Sequence, residues 1–282
     1  MLIELNNVSH VYQDENNVKA LKNIDLEISR GEFIGIVGHT GSGKSTLVQL
    51  FNGLIIPSSG TVKVNGKNIT NEKSNLKETR RHVGLVFQYP EHQLFEETVY
   101  QDIAFGPKNL GLKKDEVQER VKEVMGLVGL DYQEFKDRSP FNLSGGQQRK
   151  VAIAGVLALK PDVLVLDEPS AGLDPQGRKQ LAELLKYLYQ ELNMTVILIS
   201  HRMEEIAELA TRVIVMHQGE IVIDDNPVEV FSREQKLHKL SLDLPQITEI
   251  LHRLEEKGLK VNTNLFSISE ASAEIIKALR SK

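Results

Sequence analysis

Glycines, a lysine and a serine occur in one segment at a spacing that suits phosphate binding. Residues 38–45 read GHTGSGKS, which fits the pattern G-x-x-x-x-G-K-[ST]. Glycines let several backbone N–H groups point at phosphate oxygens, and a following helix adds the positive end of its dipole. We expect Lys44 to reach the β- and γ-phosphates of a nucleotide, and the Ser45 hydroxyl to ligate magnesium. The expected contacts in this segment, the phosphate loop, are Gly38, His39, Thr40, Gly41, Ser42, Gly43, Lys44, Ser45 and Thr46.

Two neighbouring carboxylates follow an apolar run later in the chain. The run VLVL at 163–166 predicts a buried strand, and Asp167 and Glu168 come directly after it. We expect Asp167 to hold magnesium, usually through water, and Glu168 to polarise the attacking water as a general base. The alternative is a pair of acids that only cap a helix, which the presence of the phosphate loop disfavours.

A second glycine-rich segment reads LSGGQ at 143–147 and begins another predicted helix. Because one phosphate loop is already present, this anion-binding helix end needs another role. The segment resembles the signature of the ABC ATPase family. The resemblance implies that it reaches across a dimer and covers ATP held by the other subunit, through Ser144, Gly145, Gly146 and Gln147. The alternative is a glycine-rich helix cap.

Four further positions match motifs of the ABC ATPase family. Tyr12 lies where that family places an aromatic ring that stacks on adenine, although a lone tyrosine is also a common packing residue. Gln88 resembles the Q-loop glutamine that senses magnesium and the attacking water, and we count it among the magnesium-site and catalytic residues. Asp174 closes the D-loop segment SAGLD, in which Ser170 replaces the more common threonine. His201 resembles the switch histidine that contacts the γ-phosphate.

The segment 87–107 (FQYPEHQLFEETVYQDIAFGP) narrows the resemblance. It is similar to the ATPases of energy-coupling factor (ECF) transporters, the cobalt-transporter type, and the phosphate loop and 149–155 (RKVAIAG) look most like the second of their two ATPase types. The tail at 240–245 (LSLDLP) resembles their dimerisation extension. The resemblance implies ATP and Mg²⁺ as cofactors and a peripheral position on the cytoplasmic face of the cell membrane.

The same resemblance implies three kinds of partner. The chain would pair with a paralogous ATPase subunit or with itself, and would bind a transmembrane coupling subunit. A separate membrane subunit would capture a vitamin or a transition-metal ion for uptake. The candidate acids for docking the coupling subunit are Glu91, Glu96, Glu97 and Asp102. The alternative is that these acids only form a solvated acidic face.

Composition excludes several other classes of protein. The formal net charge of −5 argues against a nucleic-acid partner, and the absence of cysteine excludes a disulfide framework, a Cys-ligated zinc site and a thiol nucleophile. The longest nearly apolar run, 151–159, is about half the roughly 20 residues that a membrane span needs. We therefore expect a soluble chain that meets the membrane through a partner.

Three other functions stay open at this point. A non-catalytic ATP-dependent clamp would bind nucleotide without useful turnover, but such proteins often lack Glu168 or His201. The chain also fits the ATPase of another ABC importer. A soluble ABC protein of translation or DNA repair would usually carry two ATPase units or a long inserted coiled coil, and neither is present in the sequence.

The elements that must position these residues alternate between strands and helices. Apolar runs predict strands at 33–37, 163–166, 196–199 and 213–216, and helices at about 44–54, 116–128, 176–192 and 203–210. A hairpin is expected at 61–69 around Asn65-Gly66. The pattern and the resemblance together predict an α/β P-loop NTPase fold with a parallel core sheet and an antiparallel β subdomain. We expect an ABC ATPase domain at 1–225, with a helical subdomain at about 90–160.

A small α/β extension is expected at 226–282. Its predicted parts are a polar linker around Pro227 and 232–239, a helix that begins at Asp243-Leu244-Pro245 and ends at Gly258, a short strand at 259–261, and a last helix capped by Ser267 and Glu270.

Overall fold

The computed structural model describes residues 1–13, 17–70 and 76–280. Its centre is a six-stranded sheet in the order β10-β9-β3-β8-β7-β6. The strands are β3 (Phe33–Val37), β6 (Val83–Val86), β7 (Val163–Asp167), β8 (Thr195–Ile199), β9 (Arg212–His217) and β10 (Glu220–Asp225). All neighbouring pairs are parallel except β9 with β10. The predicted core strands are confirmed to within a residue or two at each end.

An antiparallel sheet of four strands packs beside the first, in the order β2-β1-β4-β5. Asn65 and Gly66 connect its last two strands with φ values of 49° and 75°, the left-handed backbone that a tight hairpin turn requires. The expected hairpin is therefore confirmed. The strands are β1 (Ile3–Val11), β2 (Lys19–Ile28), β4 (Ser59–Val64) and β5 (Lys67–Asn68).

The central sheet is buried on both faces, as its continuous apolar strands predict. Along β3, Ile34 and Ile36 belong to one apolar cluster, which includes the antiparallel sheet and helix α1 (Lys44–Phe51). Phe33 and Val37 belong to a second cluster on the opposite face, which is covered by helices. The two clusters hold the sheet in a fixed position, and its strand ends are therefore a rigid base for a site.

Helices account for the chain between 90 and 160. One 3-10 turn, Pro90–Gln93, precedes the first of these helices, and another, Pro140–Asn142, precedes the last. A capping box of Thr98 and Gln101 begins α3, and Ser144 begins α6. The helices of this region are α3 (Val99–Asn109), α4 (Lys114–Leu127), α5 (Tyr132–Phe135) and α6 (Gly145–Leu157); α2 (Leu76–His82) precedes them, and α7 (Pro175–Gln190) and α8 (Met203–Leu209) follow.

The end of the chain differs from two of our expectations. The expected linker at 232–239 is wrong, because this stretch follows α9 (Pro227–Phe231) and contains α10 (Glu234–Lys239), whose Leu237 is buried in the core. The strand expected at 259–261 does not form, and these residues pair with no strand in the described part of the chain. In its described part the extension is therefore helical rather than α/β.

The two expected helices of the extension are present. They are α11 (Gln246–Glu256), which is followed by Gly258 at a φ of 86°, and α12 (Ile268–Arg280). Ser267 Oγ accepts the Glu270 backbone N–H, as the predicted cap requires. Within the described ranges, no helix is both long and apolar enough to cross a membrane.

Candidate nucleotide site

Four parallel strands bring the predicted chemical groups to one edge of the sheet. The phosphate loop follows β3, Gln88 lies two residues after β6, and His201 lies two residues after β8. Asp167 is the last residue of β7, and Glu168 follows it. Because the carboxyl ends of parallel strands meet at the same edge, residues that are far apart in sequence converge there.

The phosphate loop is shaped by close backbone contacts. A side-chain carbon added to Gly38 would lie 2.4 Å from the Met216 carbonyl oxygen and 2.5 Å from Ser42 Oγ, so only glycine fits. Gly41 and Gly43 have φ values of 80° and 104°, which are costly for other residues. The loop conformation is therefore determined by the chain itself.

Lys44 lies across the mouth of this loop. Its Nζ donates to the carbonyl oxygens of Gly38 at 2.7 Å and His39 at 3.1 Å, and the residue is only 6% exposed. Burial lowers the pKa of the Lys44 ammonium, an effect that Glu168 and Asp167 partly oppose by their charge. The amine is thus a poorly solvated cation, which a phosphate would stabilise.

Asp167 and Ser45 are hydrogen-bonded to each other at the base of the loop. Burial raises the pKa of the Asp167 carboxyl, and the hydrogen bond from the Ser45 hydroxyl opposes this rise only in part. The hydroxyl and carboxylate oxygens are hard ligands of the type that Mg²⁺ prefers. The donor set therefore fits the magnesium site that the sequence predicts.

The Glu168 carboxylate is held between two of the three other predicted catalytic residues, Gln88 and His201; the third is Lys44. Gln88 Nε2 donates to Glu168 Oε2 at 3.1 Å, and His201 Nε2 lies 2.7 Å from Glu168 Oε1. The Glu168 backbone has a φ of 49° and its N–H donates to the Ile199 carbonyl at 2.9 Å. The carboxylate that follows β7 is thus oriented by side chains that follow two other strands, β6 and β8.

Tyr12 lies beside the phosphate loop and is 37% exposed. Its hydroxyl is 3.1 Å from Thr46 Oγ1, and its ring contacts His10 edge-on at 4.8 Å. Together with Val18 and residues of the loop, Tyr12 lines a cavity of about 450 Å³. This space adjoins Lys44 and Ser45, so one ligand could contact the ring and the loop together.

The signature segment lies in a different part of the molecule. Ser144 and Gln147 form a reciprocal capping box at the start of α6, in which the Ser144 N–H donates to Gln147 Oε1 at 3.0 Å. Asp174 caps α7 by accepting the Gly177 N–H at 2.6 Å. These residues line a cavity of about 950 Å³ whose described lining includes no residue of the phosphate loop.

Two of the four candidate docking acids are already engaged within the chain. Glu91 Oε2 lies 3.4 Å from Arg149 Nη2. Asp102 accepts the backbone N–H groups of Phe95 and Glu96 at 2.9 and 3.0 Å. Glu97 is exposed and makes no ion pair in the part of the chain that the structure describes.

Two residues near the site escaped the sequence analysis. Arg149 contacts the segment that follows Glu168, as described below. Glu205 Oε2 accepts hydrogen bonds from Ser170 Oγ at 2.8 Å and Ser200 Oγ at 3.0 Å, which joins the segments after β7 and β8. Both are charged residues in helices, and their helical positions alone do not reveal which loop they contact.

Comparisons with known proteins give the family of the chain. The model of the ABC transporter family matches residues 21–171. An energy-coupling factor transporter ATP-binding protein, EcfA2, from Clostridium tetani is 51% identical over 100% of this chain and 99% of its own. The protein of the same name from Clostridium perfringens is 49% identical over 99% of each chain.

Two solved structures have a similar fold. The structure of cbiO1 from Clostridium perfringens, described as part of the ABC transporter complex cbiONQ, has a TM-score of 0.74 at 38% identity and covers 89% of this chain and 98% of its own. A dimeric post-hydrolysis state of an ATP-binding cassette bound to ADP and Pi has a TM-score of 0.73 at 30% identity, and the match covers 80% of this chain and 99% of the cassette. The chain therefore belongs to the ABC transporter family, in its group of energy-coupling factor transporter ATP-binding proteins.

Proposed function

We propose that this chain binds ATP and hydrolyses it to drive a membrane transporter. The observation that carries the proposal is the alignment of Gln88, Glu168 and His201 at the strand ends beside the phosphate loop. A carboxylate held there by two side chains is arranged to accept a proton from an attacking water. The relatives' ATP-binding names support the same activity.

The phosphate loop would bind the triphosphate through its N–H groups and Lys44. Binding would exchange the bonds from Lys44 to the Gly38 and His39 carbonyls for bonds to phosphate oxygens, which relieves the desolvation of the ammonium. Tyr12 would stack on the adenine, since its exposed ring lines the cavity next to the loop. Thr46 would add a hydroxyl near the α-phosphate.

Magnesium would be held by Ser45 and Asp167, with Gln88 nearby. When bound, the ion neutralises charge that develops on the phosphate oxygens. Glu168 would accept the proton of the attacking water, and His201 would contact the γ-phosphate while it holds the Glu168 carboxylate in place. Gln88 would fix the other carboxylate oxygen, which leaves the base one orientation.

The active site would be completed by a second subunit. Gly145 and Gly146 have helical backbone, and a side-chain carbon added at either position would meet no atom of the described residues within 4 Å. No contact among the residues that the structure describes requires glycine there, so we infer that the close approach of a partner's nucleotide does. Ser144, Gln147 and Asp174 would belong to the same contact, and the ADP-bound cassette that resembles this chain is a dimer.

The region 226–282 would support the same pairing as a dimerisation extension to the ATPase domain at 1–225. Large apolar side chains are exposed on its last two helices, namely Ile250, Ile268, Ile276 and Leu279. Whether the second subunit is a paralogue or another copy of this chain is an outcome of the mixing experiment below.

The transporter names of the relatives support membrane partners. We infer a transmembrane coupling subunit and a separate membrane subunit that captures a vitamin or a transition-metal ion, with this chain on the cytoplasmic face. Glu97 and Glu96, next to the exposed rings of Phe95 and Phe105, are the docking acids that we favour. Glu91 and Asp102 are less available because of their bonds within the chain.

The test is phosphate release by the purified protein, alone and mixed with its paralogue, in Mg-ATP. We expect Glu168→Gln to lose at least about 100-fold in turnover, the lower end of general-base effects, while ATP binding persists. Glu191→Gln is the control, because Glu191 is exposed and precedes the amino end of β8, at the opposite edge of the sheet. Slow turnover that is unchanged in Glu168→Gln would favour the non-catalytic clamp. Failure to co-purify with a membrane protein would contradict the transporter role.

A further inference from the structure

Arg149 joins three segments of the chain with one buried guanidinium. It lies in α6, five residues after Ser144, and is 6% exposed. Its Nη1 donates to the carbonyl oxygens of Pro169 at 2.8 Å and Ala171 at 2.7 Å, and its Nη2 lies 3.4 Å from Glu91 Oε2. The guanidinium is thus shared between the signature helix, the segment after Glu168 and the 3-10 turn at Pro90–Gln93.

The contacts with Pro169 and Ala171 fix the turn that begins at the proposed base. The Ala171 N–H donates to the Glu168 carbonyl at 3.2 Å, so residues 168–171 form one compact turn, which we call the Glu168 turn. Both carbonyls that Arg149 holds belong to this turn. A lysine has a single ammonium and lacks the planar fork that spans these acceptors.

Glu91 supplies the countercharge that the buried guanidinium needs. The side chains of Arg149 and Glu91 are 8% and 21% exposed, so removal of one partner would leave a charge that is poorly solvated. Arg149 Nε is buried and has no partner among the described residues. The position of the guanidinium therefore depends on the two carbonyls and on Glu91.

We propose that Arg149 is a positioning residue that links the Glu168 turn to Glu91. A shift of Glu91 then moves Arg149, which changes the hold on the turn and the orientation of the Glu168 carboxylate. A basic docking surface that draws Glu91 away would loosen the turn by the same route. The inference rests on the proposed ATPase activity, because the turn carries its base.

The first measurement compares steady-state kinetics of Arg149→Lys and the wild type. We expect kcat to fall about tenfold, equivalent to about 1.4 kcal/mol of activation free energy. The KM for ATP should stay within about twofold, because the phosphate loop and Tyr12 do not contact Arg149. Arg120→Lys is the matched control, since Arg120 also donates to a backbone carbonyl, that of Ala158. An unchanged kcat in Arg149→Lys, with an active wild type, would overturn the inference alone; an inactive wild type would contradict the proposed function instead.

The second measurement is amide hydrogen exchange of residues 168–176, which does not require turnover. Glu91→Gln should raise exchange there on the order of fivefold, although residue 91 is remote in sequence. Glu116→Gln, which removes an α4 carboxylate that caps its own helix, should leave this peptide unchanged. If Glu91→Gln alters exchange only around residue 91, the proposed link does not exist. This test also applies if Arg149→Lys fails to fold.

Discussion

The phosphate loop and the signature segment are both glycine-rich and both begin a helix, yet the chain constrains them differently. In the phosphate loop, the carbonyl of Met216 excludes any side chain at Gly38, and positive φ values favour glycine at Gly41 and Gly43. In the signature, the backbone of Gly145 and Gly146 is helical, and no described residue comes within 4 Å of a side-chain carbon added at either position.

This difference separates two reasons for a glycine. The phosphate loop needs glycines to reach its own shape, so its geometry is complete in one chain. The signature needs them only if something outside the chain comes close. A structure of one subunit therefore indicates which half of the site is built internally and which half is built for another molecule.

The largest effect should come from exchanging each kind of glycine for alanine. Gly38→Ala forces a methyl group against the Met216 carbonyl. We expect it to lower the free energy of unfolding by about 3 kcal/mol, the upper end for overpacking, and to abolish nucleotide binding. Gly146→Ala should leave the isolated chain equally stable or more stable by about 0.5–1 kcal/mol, because alanine favours a helix. Its ATP hydrolysis should nevertheless be lost. Thermal unfolding and phosphate release measure both results.

A destabilised Gly146→Ala protein would contradict the distinction between the phosphate loop and the signature segment. If Gly146→Ala unfolds at a lower temperature than the wild type, the signature glycine serves the chain itself. Gly155→Ala is a useful control, since Gly155 lies in the same helix, α6, with equally open surroundings, and does not line the cavity that contains Ser144 and Gly146.

A smaller change in stability, opposite in sign to that of Gly38→Ala, is expected for Asp167→Asn. Burial raises the pKa of Asp167, so the folded state binds this proton more tightly than the unfolded state. The carboxyl therefore stabilises the fold at low pH and loses that contribution as the pH rises through its folded pKa. At pH 7 the nucleotide-free Asp167→Asn protein should unfold at a higher temperature than the wild type, while phosphate release falls by about 100-fold or more.

The pH dependence provides the check on this prediction. The gain in unfolding temperature should shrink as the pH falls towards the ordinary value of 3.8. A loss of stability at pH 7 would mean that the Ser45 hydrogen bond outweighs the desolvation of the carboxylate.

The smallest change in stability should come from Asp162→Asn, because Asp162 lies outside both the phosphate loop and the signature segment. Partial burial raises its pKa, but hydrogen bonds from Arg30, His82 and Asn65 outweigh this and lower the pKa overall. The stabilisation is therefore present above the ordinary value of 3.8 and is lost as the pH falls below it. Asp162→Asn should cost about 1 kcal/mol or less at pH 7, given its partial exposure.

Urea unfolding between pH 7 and pH 3 measures this contribution. The difference between Asp162→Asn and the wild type should narrow only below about pH 4. A difference that stays constant from pH 7 to pH 3 would contradict the assignment to the Asp162 carboxylate.

The sequence predicted the elements whose signals are local. Strands such as Val163–Asp167 are continuous apolar runs, and the phosphate loop is a contiguous motif, so both were located closely. The stretch 232–239 was misread because a single buried leucine, Leu237, anchors its helix among polar residues. The strand at 259–261 failed because pairing depends on a neighbour that no local pattern reveals.

The same limit applies within the site. Gln88, Glu168 and His201 could be named from motifs, but their mutual hydrogen bonds depend on the order of strands in the sheet. The ion pair of Glu91 with Arg149 joins residues 58 positions apart. Its charge alone suggested that Glu91 docks a partner, and the sequence does not show that Arg149 already binds it.

The left-handed backbone of Glu168 has a consequence for how such proteins respond to selection. A residue other than glycine in this conformation costs about 1–2 kcal/mol. Asparagine tolerates this conformation better and glycine adopts it freely, so either would make the chain harder to melt while it deletes the base. Variant libraries screened for heat resistance alone should therefore accumulate inactive chains at position 168.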